Sequence, residues 1–370
     1  MKKIIGLLLI GAILCLTAAC SPQDSGNKDS SSSVETTAAE TSVVETTAAE
    51  MSVTETDLSD DVKETIKSHG FEGVIYAVKD GVPVASYAEG KLENGEKITL
   101  DTSMPIGSVS KQFCAAAVML LQEQGKLSVN DKLDKYYPGY KEGSRLTLHD
   151  LLSMRSGIPE MTAESGADVT VEHTEAENID IIKQWVFAQK LDFEPGSAFA
   201  YANINYFLLS DIVSQVSGKA YIDFIRESFL TPLGMTHTGS IGELGTDPSW
   251  AQGLVYKKVD LQPGLTNGCG DIISNAADMT AWINALANGK AVSAESFKAM
   301  TTDQSSGEGY GYGMYTGIEG GIGHYGAIGI YSAFDYINTD KGFTLFTAGN
   351  TIDPLNMTGF AGDLLTDLLK

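Results

Sequence analysis

The sequence predicts an α+β domain: one antiparallel sheet built from both ends of the folded region, flanked by helices, with a mainly helical lobe inserted. Two observations carry this reading. Strand-like stretches rich in Val, Ile, Tyr and Phe, bounded by turn residues, lie near both ends of 58–370. The sequence between them is dominated by helix-like segments that stop at glycines. Strands and helices must bury each other's apolar faces, and a single sheet closed from both ends is the simplest un-knotted solution. The 313 residues of this region suffice for one large domain or two intimate lobes.

In chain order, Ser59 is positioned to cap a short helix that Gly70 ends. The stretch GVIYAVKDGVPVASYAEG reads as a hairpin turning at Asp80-Gly81. Helices are predicted at Ser108–Gln124, Leu148–Met154, Ile179–Gln189, Asn203–Val216 and Ala220–Phe229. Another runs from Asn275, capped by Ser274, to Asn288. Strands return in YGYGMYTG, IGIYSAFDYIN and GFTLFTAGN, and a last helix spans about Thr358 to Leu369. A cleft between sheet and lobe is where a small-molecule site is expected.

The segments before residue 58 are of another kind. MKKIIGLLLIGAILCLTAAC has a basic start, an apolar run from Ile4 to Leu16 and then small residues. That run falls short of the ~20 residues of a membrane span, so residues 1–20 read as an export signal. Residues 21–57 repeat SVETTAAE-like units without an aromatic residue. Such sequence cannot bury enough apolar surface to offset ordering entropy, and is expected to be a disordered spacer. The chain's net charge is −23. The first twenty residues hold two lysines, and the spacer eight acids against one lysine, so the folded region is strongly acidic. That makes it a poor partner for nucleic acid.

The chemistry begins at Gly107-Ser108-Val109-Ser110-Lys111. A cation in the first turn of a helix opposes the helix dipole by about 0.3–1 kcal/mol. Side chains three apart share a helix face, whereas adjacent ones point about 100° apart, so Lys111 faces Ser108 rather than Ser110. A serine hydroxyl needs a base to become a nucleophile. A lysine whose pKa is lowered by burial and by the helix N-terminus can be that base. The same N-terminus favours negative charge developing on a substrate oxygen. Alone, Ser-x-x-Lys is a weak motif, and a capping serine beside a solvated lysine satisfies it equally.

Two further segments bear on it. Tyr201-Ala202-Asn203 follows a Pro195-Gly196 turn and precedes a helix. His324-Tyr325-Gly326 lies in a glycine-rich entry to a strand. Taken singly, Tyr201 reads as a core tyrosine and Asn203 as a helix cap. The order Ser-x-x-Lys, Tyr-x-Asn, polar-x-Gly resembles the serine β-lactamase and penicillin-binding-protein superfamily, most of all its class C-type serine hydrolases. LTLHDLLSMRSGIPE, LTPLGMTHT and GCGDIISNAADMTAWINAL resemble that family's connecting segments, so the resemblance covers nearly all of 73–350. It implies a β-lactamase/transpeptidase-like fold and an acyl-enzyme mechanism. Ser108 would be the nucleophile, Lys111 its proton partner and Tyr201 a proton relay that also helps activate the deacylating water. Asn203 would contact both substrate and Lys111. His324 and Gly326 would lie on the strand facing the substrate, and the N–H groups of Ser108 and Ala327 would form the oxyanion hole. His324 departs from the lysine that many relatives carry. A neutral imidazole donates one hydrogen bond, which weakens the case for a carboxylate-bearing substrate.

The ending Thr17-Ala18-Ala19-Cys20 resembles a bacterial lipobox, with Thr17 where Leu is usual. It implies a lipid on Cys20 and a place on the outer face of a bacterial membrane, next to cell-wall peptides. Cys114 and Cys269 could pair, although Cys114 inside an apolar helix reads as a buried free thiol. His69, His149, His173 and His237 read as structural, and Tyr310-Gly311-Tyr312-Gly313 as a strand with aromatics on one face. No residue set has metal-ligand spacing and no phosphate loop is present, so no cofactor is expected. The expected function is a secreted, lipid-anchored serine hydrolase of esters or amides, such as a D-Ala-D-Ala carboxypeptidase-like enzyme on cell-wall peptides. A β-lactamase and a non-catalytic wall-binding or sensor module are the alternatives.

Overall fold

The computed structural model describes residues 57–92, 95–161, 173–243, 264–352 and 354–370. The leader, Cys20 and nearly all of the spacer lie outside the described residues. Helix α1 (Asp60–His69) starts at Ser59, whose hydroxyl accepts from the Val62 N–H at 3.3 Å, and ends at left-handed Gly70. Strands β1 (Gly73–Lys79) and β2 (Val82–Glu89) turn through Asp80-Gly81, both at positive φ, a two-residue hairpin whose twist matches its strands.

The middle of the chain holds β3 (Met104–Pro105), a 3₁₀ turn at Gly107–Ser110, α2 (Lys111–Glu123), α3 (Leu148–Leu152), α4 (Glu175–Ala188) and α5 (Asn203–Ser217). There follow α6 (Tyr221–Ile225), a π turn at Arg226–Leu230, α7 (Thr231–Leu233), β4 (Gly239–Ser240), β5 (Ile272–Ser274), α8 (Ala276–Ala287) and α9 (Ala294–Thr301). The chain closes with β6 (Tyr315–Ile318), β7 (Gly321–Ile328), β8 (Tyr331–Asn338), β9 (Phe343–Gly349) and α10 (Pro354–Leu368).

The main sheet has the order β2-β1-β9-β8-β7-β6 and is antiparallel throughout. The two chain ends meet where β1 pairs with β9. Strand periodicity explains why β1 reads as an unbroken apolar run. Val74, Tyr76 and Val78 join the core under the helical lobe. Ile75 and Ala77 join a second core with Val62 and Ile66 of α1 and Phe360 and Leu364 of α10. A strand covered on both faces has no solvent side to mark with polar residues. A small second sheet, β3-β5-β4, supports the turn that carries Ser108: the Ile106 N–H donates to the Ile272 carbonyl at 3.0 Å.

Several expectations need correcting. Tyr310–Gly313 is not a strand, which begins only at Tyr315. Its glycines lie against other backbone, and a Cβ on Gly311 or Gly313 would sit 2.0 Å from the Met300 carbonyl oxygen or 2.6 Å from that of Lys111. The segment is a strap drawn tightly over α9 and α2. Asn203 is the first residue of α5, and Ala202 holds the cap position. The cap of α8 is Asn275, whose side chain accepts from the Asp278 N–H at 2.9 Å. Ser274 instead pairs in β5. The predicted helix at Ala220–Phe229 gives way to the π turn after Ile225. Helix α9, capped by Ser293, went unread, as did the Thr174/Glu177 capping box that starts α4 four residues early. Cys114 is a buried free thiol, as its place in an apolar helix suggests, and Cys269 is a second one.

Candidate active site

Ser108 sits in the 3₁₀ turn between β3 and α2, pressed against β7. Two glycines make that approach possible. Gly107 has φ +50°, and a Cβ there would lie 2.4 Å from the Ala327 nitrogen. A Cβ on Gly326 would lie 1.9 Å from the Ile106 carbonyl oxygen and 3.1 Å from the Ser108 nitrogen. Ser108 stands second in its turn, where the backbone N–H has no partner within the turn. Ser108, Gly326 and Ala327 are thus brought together.

The Lys111 side chain is fully buried. Its Nζ lies 3.0 Å from Ser108 Oγ, 2.7 Å from Asn203 Oδ1 and 2.7 Å from the Cys269 carbonyl oxygen. The last two atoms only accept, so they hold two N–H bonds in either protonation state. The third direction faces Ser108. As an ammonium, Lys111 donates there; as an amine, it turns its lone pair to the serine proton. Burial pushes the amine down to about 8, against the pull of Cys269, Glu160, Cys114 and Asp271. Burial is therefore the leading reason a cation at this place gives up its proton readily.

Tyr201 completes the triple. Its ring lies 4.9 Å from Lys111 Nζ. Burial raises the phenol's pKa, so it holds its proton at neutral pH. The loop after α3 fixes this segment: the Ala200 N–H donates to the Met154 carbonyl at 3.0 Å, and the Tyr206 hydroxyl to that of Leu152 at 2.8 Å.

His324 is buried on β7. Its Nδ1 lies 2.5 Å from the Tyr325 carbonyl oxygen and its Nε2 3.2 Å from the Tyr310 hydroxyl. A carbonyl only accepts, so Nδ1 carries the proton and Nε2 accepts from Tyr310. Burial and the Lys111 charge push the imidazole down to about 3, keeping it neutral. Its single donor is already engaged. Tyr201, Tyr310 and Tyr315 surround it, with Tyr315 centred 5.0 Å from the imidazole.

Sequence reasoning missed several groups. The Cys269 carbonyl is backbone and carries no residue-type signal. Glu160 accepts from the Asn203 backbone N–H and from the Met161 N–H at 2.9 Å. Gln112 donates to both Asp335 oxygens, at 2.7 and 2.6 Å, while the His324 N–H reaches Asp335 at 2.8 Å. This buried carboxylate ties the helix carrying Lys111 to the strand carrying His324. Ser110, the rejected serine, is buried and accepts from the Ile272 N–H at 3.0 Å. His149 bonds the Tyr312 hydroxyl at 2.6 Å and His69 pairs with Asp363, both far from Ser108 in role. Among the described residues no cluster could hold a metal ion.

The arrangement offers a nucleophile, a base that titrates near neutrality, a second proton carrier and backbone donors beside them. A family model described as Beta-lactamase matches residues 58–360. PbpX of Bacillus subtilis (strain 168), named as a penicillin-binding protein, is 31% identical over 293 residues, 76% of this chain and 71% of that one. Penicillin-binding protein 4* of the same organism is 34% identical over 176 residues, and the match spans 46% of this chain but only 38% of that protein. The crystal structure of FmtA from Staphylococcus aureus has the same fold, with a TM-score of 0.71 at 22% identity over 84% of this chain and 88% of that one.

Proposed function

The chain belongs to the β-lactamase and penicillin-binding-protein superfamily of serine hydrolases, and we propose that it cleaves esters or amides whose leaving side carries no carboxylate. The observation that carries the proposal is the Lys111 amine, held by two pure acceptors with its third direction on Ser108 Oγ.

In this reading Lys111 takes the Ser108 proton as Oγ attacks the carbonyl carbon. The N–H groups of Ser108 and Ala327 receive the developing oxyanion; losing one such donor in a serine hydrolase costs roughly 10²–10³ in rate. Tyr201 passes its proton to the leaving group and is reprotonated from Lys111. Water then attacks the acyl-enzyme; Tyr201 takes its proton while handing its own to the neutral Lys111 amine, and Lys111 returns that proton to the departing Ser108 oxygen. Asn203 supports the Lys111 amine and lies where it can meet a substrate amide. Gly326 keeps the strand low enough for a carbonyl to reach both donors.

The leaving-side preference rests on His324. It is neutral, and its one donor is engaged with the Tyr325 carbonyl. The only cation electrostatically coupled to it among the described residues is Lys111, which is spent on catalysis. Among the described residues, a free D-Ala-D-Ala terminus or a β-lactam carboxylate would meet no other counter-ion there. Initial rates on a p-nitrophenyl ester, a D-amino-acid amide, a D-Ala-D-Ala peptide and a chromogenic cephalosporin test this. Esters or amides at least tenfold ahead support it. Fast turnover of the cephalosporin would make the protein a β-lactamase, and fast release of D-Ala a carboxypeptidase.

The same proposal places the enzyme outside the cytoplasmic membrane, tethered by lipid on Cys20 and lifted toward the wall by the spacer. Mass spectrometry of the membrane fraction should find diacylglycerol on Cys20; an unmodified, shed protein would refute the tether. No helix among the described residues is long and apolar enough to cross a membrane.

A further inference from the structure

We infer that the buried Gln112–Asp335 pair is a positioning device: it holds the start of α2 against β7 and so sets the gap between the Ser108 and Ala327 N–H groups. The inference rests on the acyl-enzyme reading above, in which those two groups receive the oxyanion. A chain of hydrogen bonds runs through four elements. From α8, Trp282 Nε1 donates to Gln112 Oε1 at 3.2 Å. An indole N–H only donates, so it assigns the Gln112 amide: the oxygen faces Trp282 and the NH₂ group faces β8. There Gln112 Nε2 donates to Asp335 Oδ1 and Oδ2, at 2.7 and 2.6 Å. Oδ1 also accepts from the His324 N–H of β7 at 2.8 Å. Trp282, Gln112 and Asp335 are all buried, and Phe113 stacks on the indole at 4.0 Å between centroids, which fixes the far end of the chain. Each of these groups facing Asp335 is a donor. A carboxylate meets them with two accepting oxygens, whereas a carboxamide would set its own N–H groups against one of them.

The pair lies just behind the two N–H groups. Gln112 follows Ser108 by four residues, about one helical turn. His324 precedes Ala327 by three residues of strand, about 10 Å. At the front, Gly107 and Gly326 let the Ser108 turn and β7 touch: a Cβ on Gly107 would lie 2.4 Å from the Ala327 nitrogen. Contact of that kind limits how near the two backbones come. Holding them at that distance takes attraction, and dispersion is weak per atom pair, whereas hydrogen bonds to a charged group are strong. The carboxylate supplies them from behind, to Gln112 on the α2 side and to His324 on the β7 side. Oxyanion donors act by being fixed in advance, and a misplacement of about 1 Å can cost about 10²-fold in rate.

The experiment exchanges donor and acceptor. It measures kcat/KM for a p-nitrophenyl ester on the full chain, on D335N, on Q112E and on Q112E/D335N, each rate expressed per site titrated with a fluorophosphonate. Asp335→Asn sets amide N–H groups against those of Gln112 or His324, and Gln112→Glu sets two carboxylates together. Each should lose about tenfold or more. The double variant restores one donor and one acceptor between the two positions and keeps acceptors for Trp282 and the His324 N–H. It should return to within about threefold of wild type. A role in folding alone would lower the melting temperatures and leave kcat/KM per titrated site unchanged in the single variants; that result overturns the inference. So does a folded double variant no faster than the better single one. Where a single variant does not fold, the double variant carries the test: folded and within about threefold of wild type supports the inference, and unfolded or slower overturns it. A wild type that does not label on Ser108 overturns both this inference and the proposed function; with wild type labelled, every failure above falls on the inference alone.

Discussion

Lys111 Nζ and the Ser108 hydroxyl lie 3.0 Å apart, and the other two bonding directions of the amine end on oxygens that can only accept. The pair has one way to exchange a proton, and burial sets the pH at which it does so.

Acylation should therefore rise with pH and level off. The competent form is the neutral amine, and the Lys111 amine titrates at about 8. The rate of ester hydrolysis or fluorophosphonate labelling should climb through that value. Lys111→Ala should lose roughly 10³-fold or more. Lys111→Arg should fare no better, because a guanidinium keeps its proton. A flat profile between pH 6 and 9 in wild type would count against Lys111 as the base.

Ser110→Ala should separate fold from chemistry. Its hydroxyl accepts from the buried Ile272 N–H, and orphaning that donor costs about 1–3 kcal/mol. The melting temperature should fall by several degrees while kcat/KM stays within about fivefold of wild type. Total loss of activity in a folded S110A would mean that Ser110 takes part in the chemistry.

Gly326→Ala should damage both. The added methyl would lie 1.9 Å from the Ile106 carbonyl oxygen, a distance that no rotamer relieves. Either β7 or the Ser108 turn must move, and the backbone donors separate. A loss of at least 10²-fold in kcat with smaller change in KM is expected. Near-normal kcat would show that this strand does not serve the oxyanion.

These outcomes depend on features that were unequally legible in the sequence. The closure of both chain ends into one sheet could be read from β-rich runs such as GVIYAV and YSAFDYIN, because residues buried on both faces are conspicuous. Ser108, Lys111 and Tyr201 could be singled out because Ser-x-x-Lys followed by Tyr-x-Asn resembles the motif order of a known family; taken singly they read as a cap, a surface cation and a core residue. The groups that tune them left none. The Cys269 carbonyl is a peptide atom, present at every residue. Glu160 and Asn203 are 43 residues apart and meet only because the loop after α3 folds onto the start of α5. Gln112 next to Lys111 is a polar residue type that is mostly exposed, yet it is buried against Asp335. The Tyr310–Gly313 strap misled because aromatic and glycine alternation mimics a strand, whereas contact with Met300 and Lys111 dictates its path.

Asp271 makes a prediction about stability. Burial pushes its carboxyl up to about 7, one oxygen accepts from the Gly268 N–H at 3.0 Å, and the other has no partner among the described residues. An unfolded aspartate titrates near 3.9, so between about pH 4 and 7 the folded state binds more protons than the unfolded one. This group's contribution to stability therefore falls as pH rises across that window. Asp271→Asn removes the effect. The melting temperature of D271N relative to wild type should increase from pH 5 to pH 8; a constant or shrinking difference would contradict the assignment.

The central claim is that Ser108 is the acylated nucleophile. Treating the purified protein with a fluorophosphonate and mapping the adduct by mass spectrometry tests it most directly. The expected result is a single adduct on Ser108 in wild type and in S110A, and none in Ser108→Ala. An unlabelled wild type, or equal labelling of S108A, would contradict it.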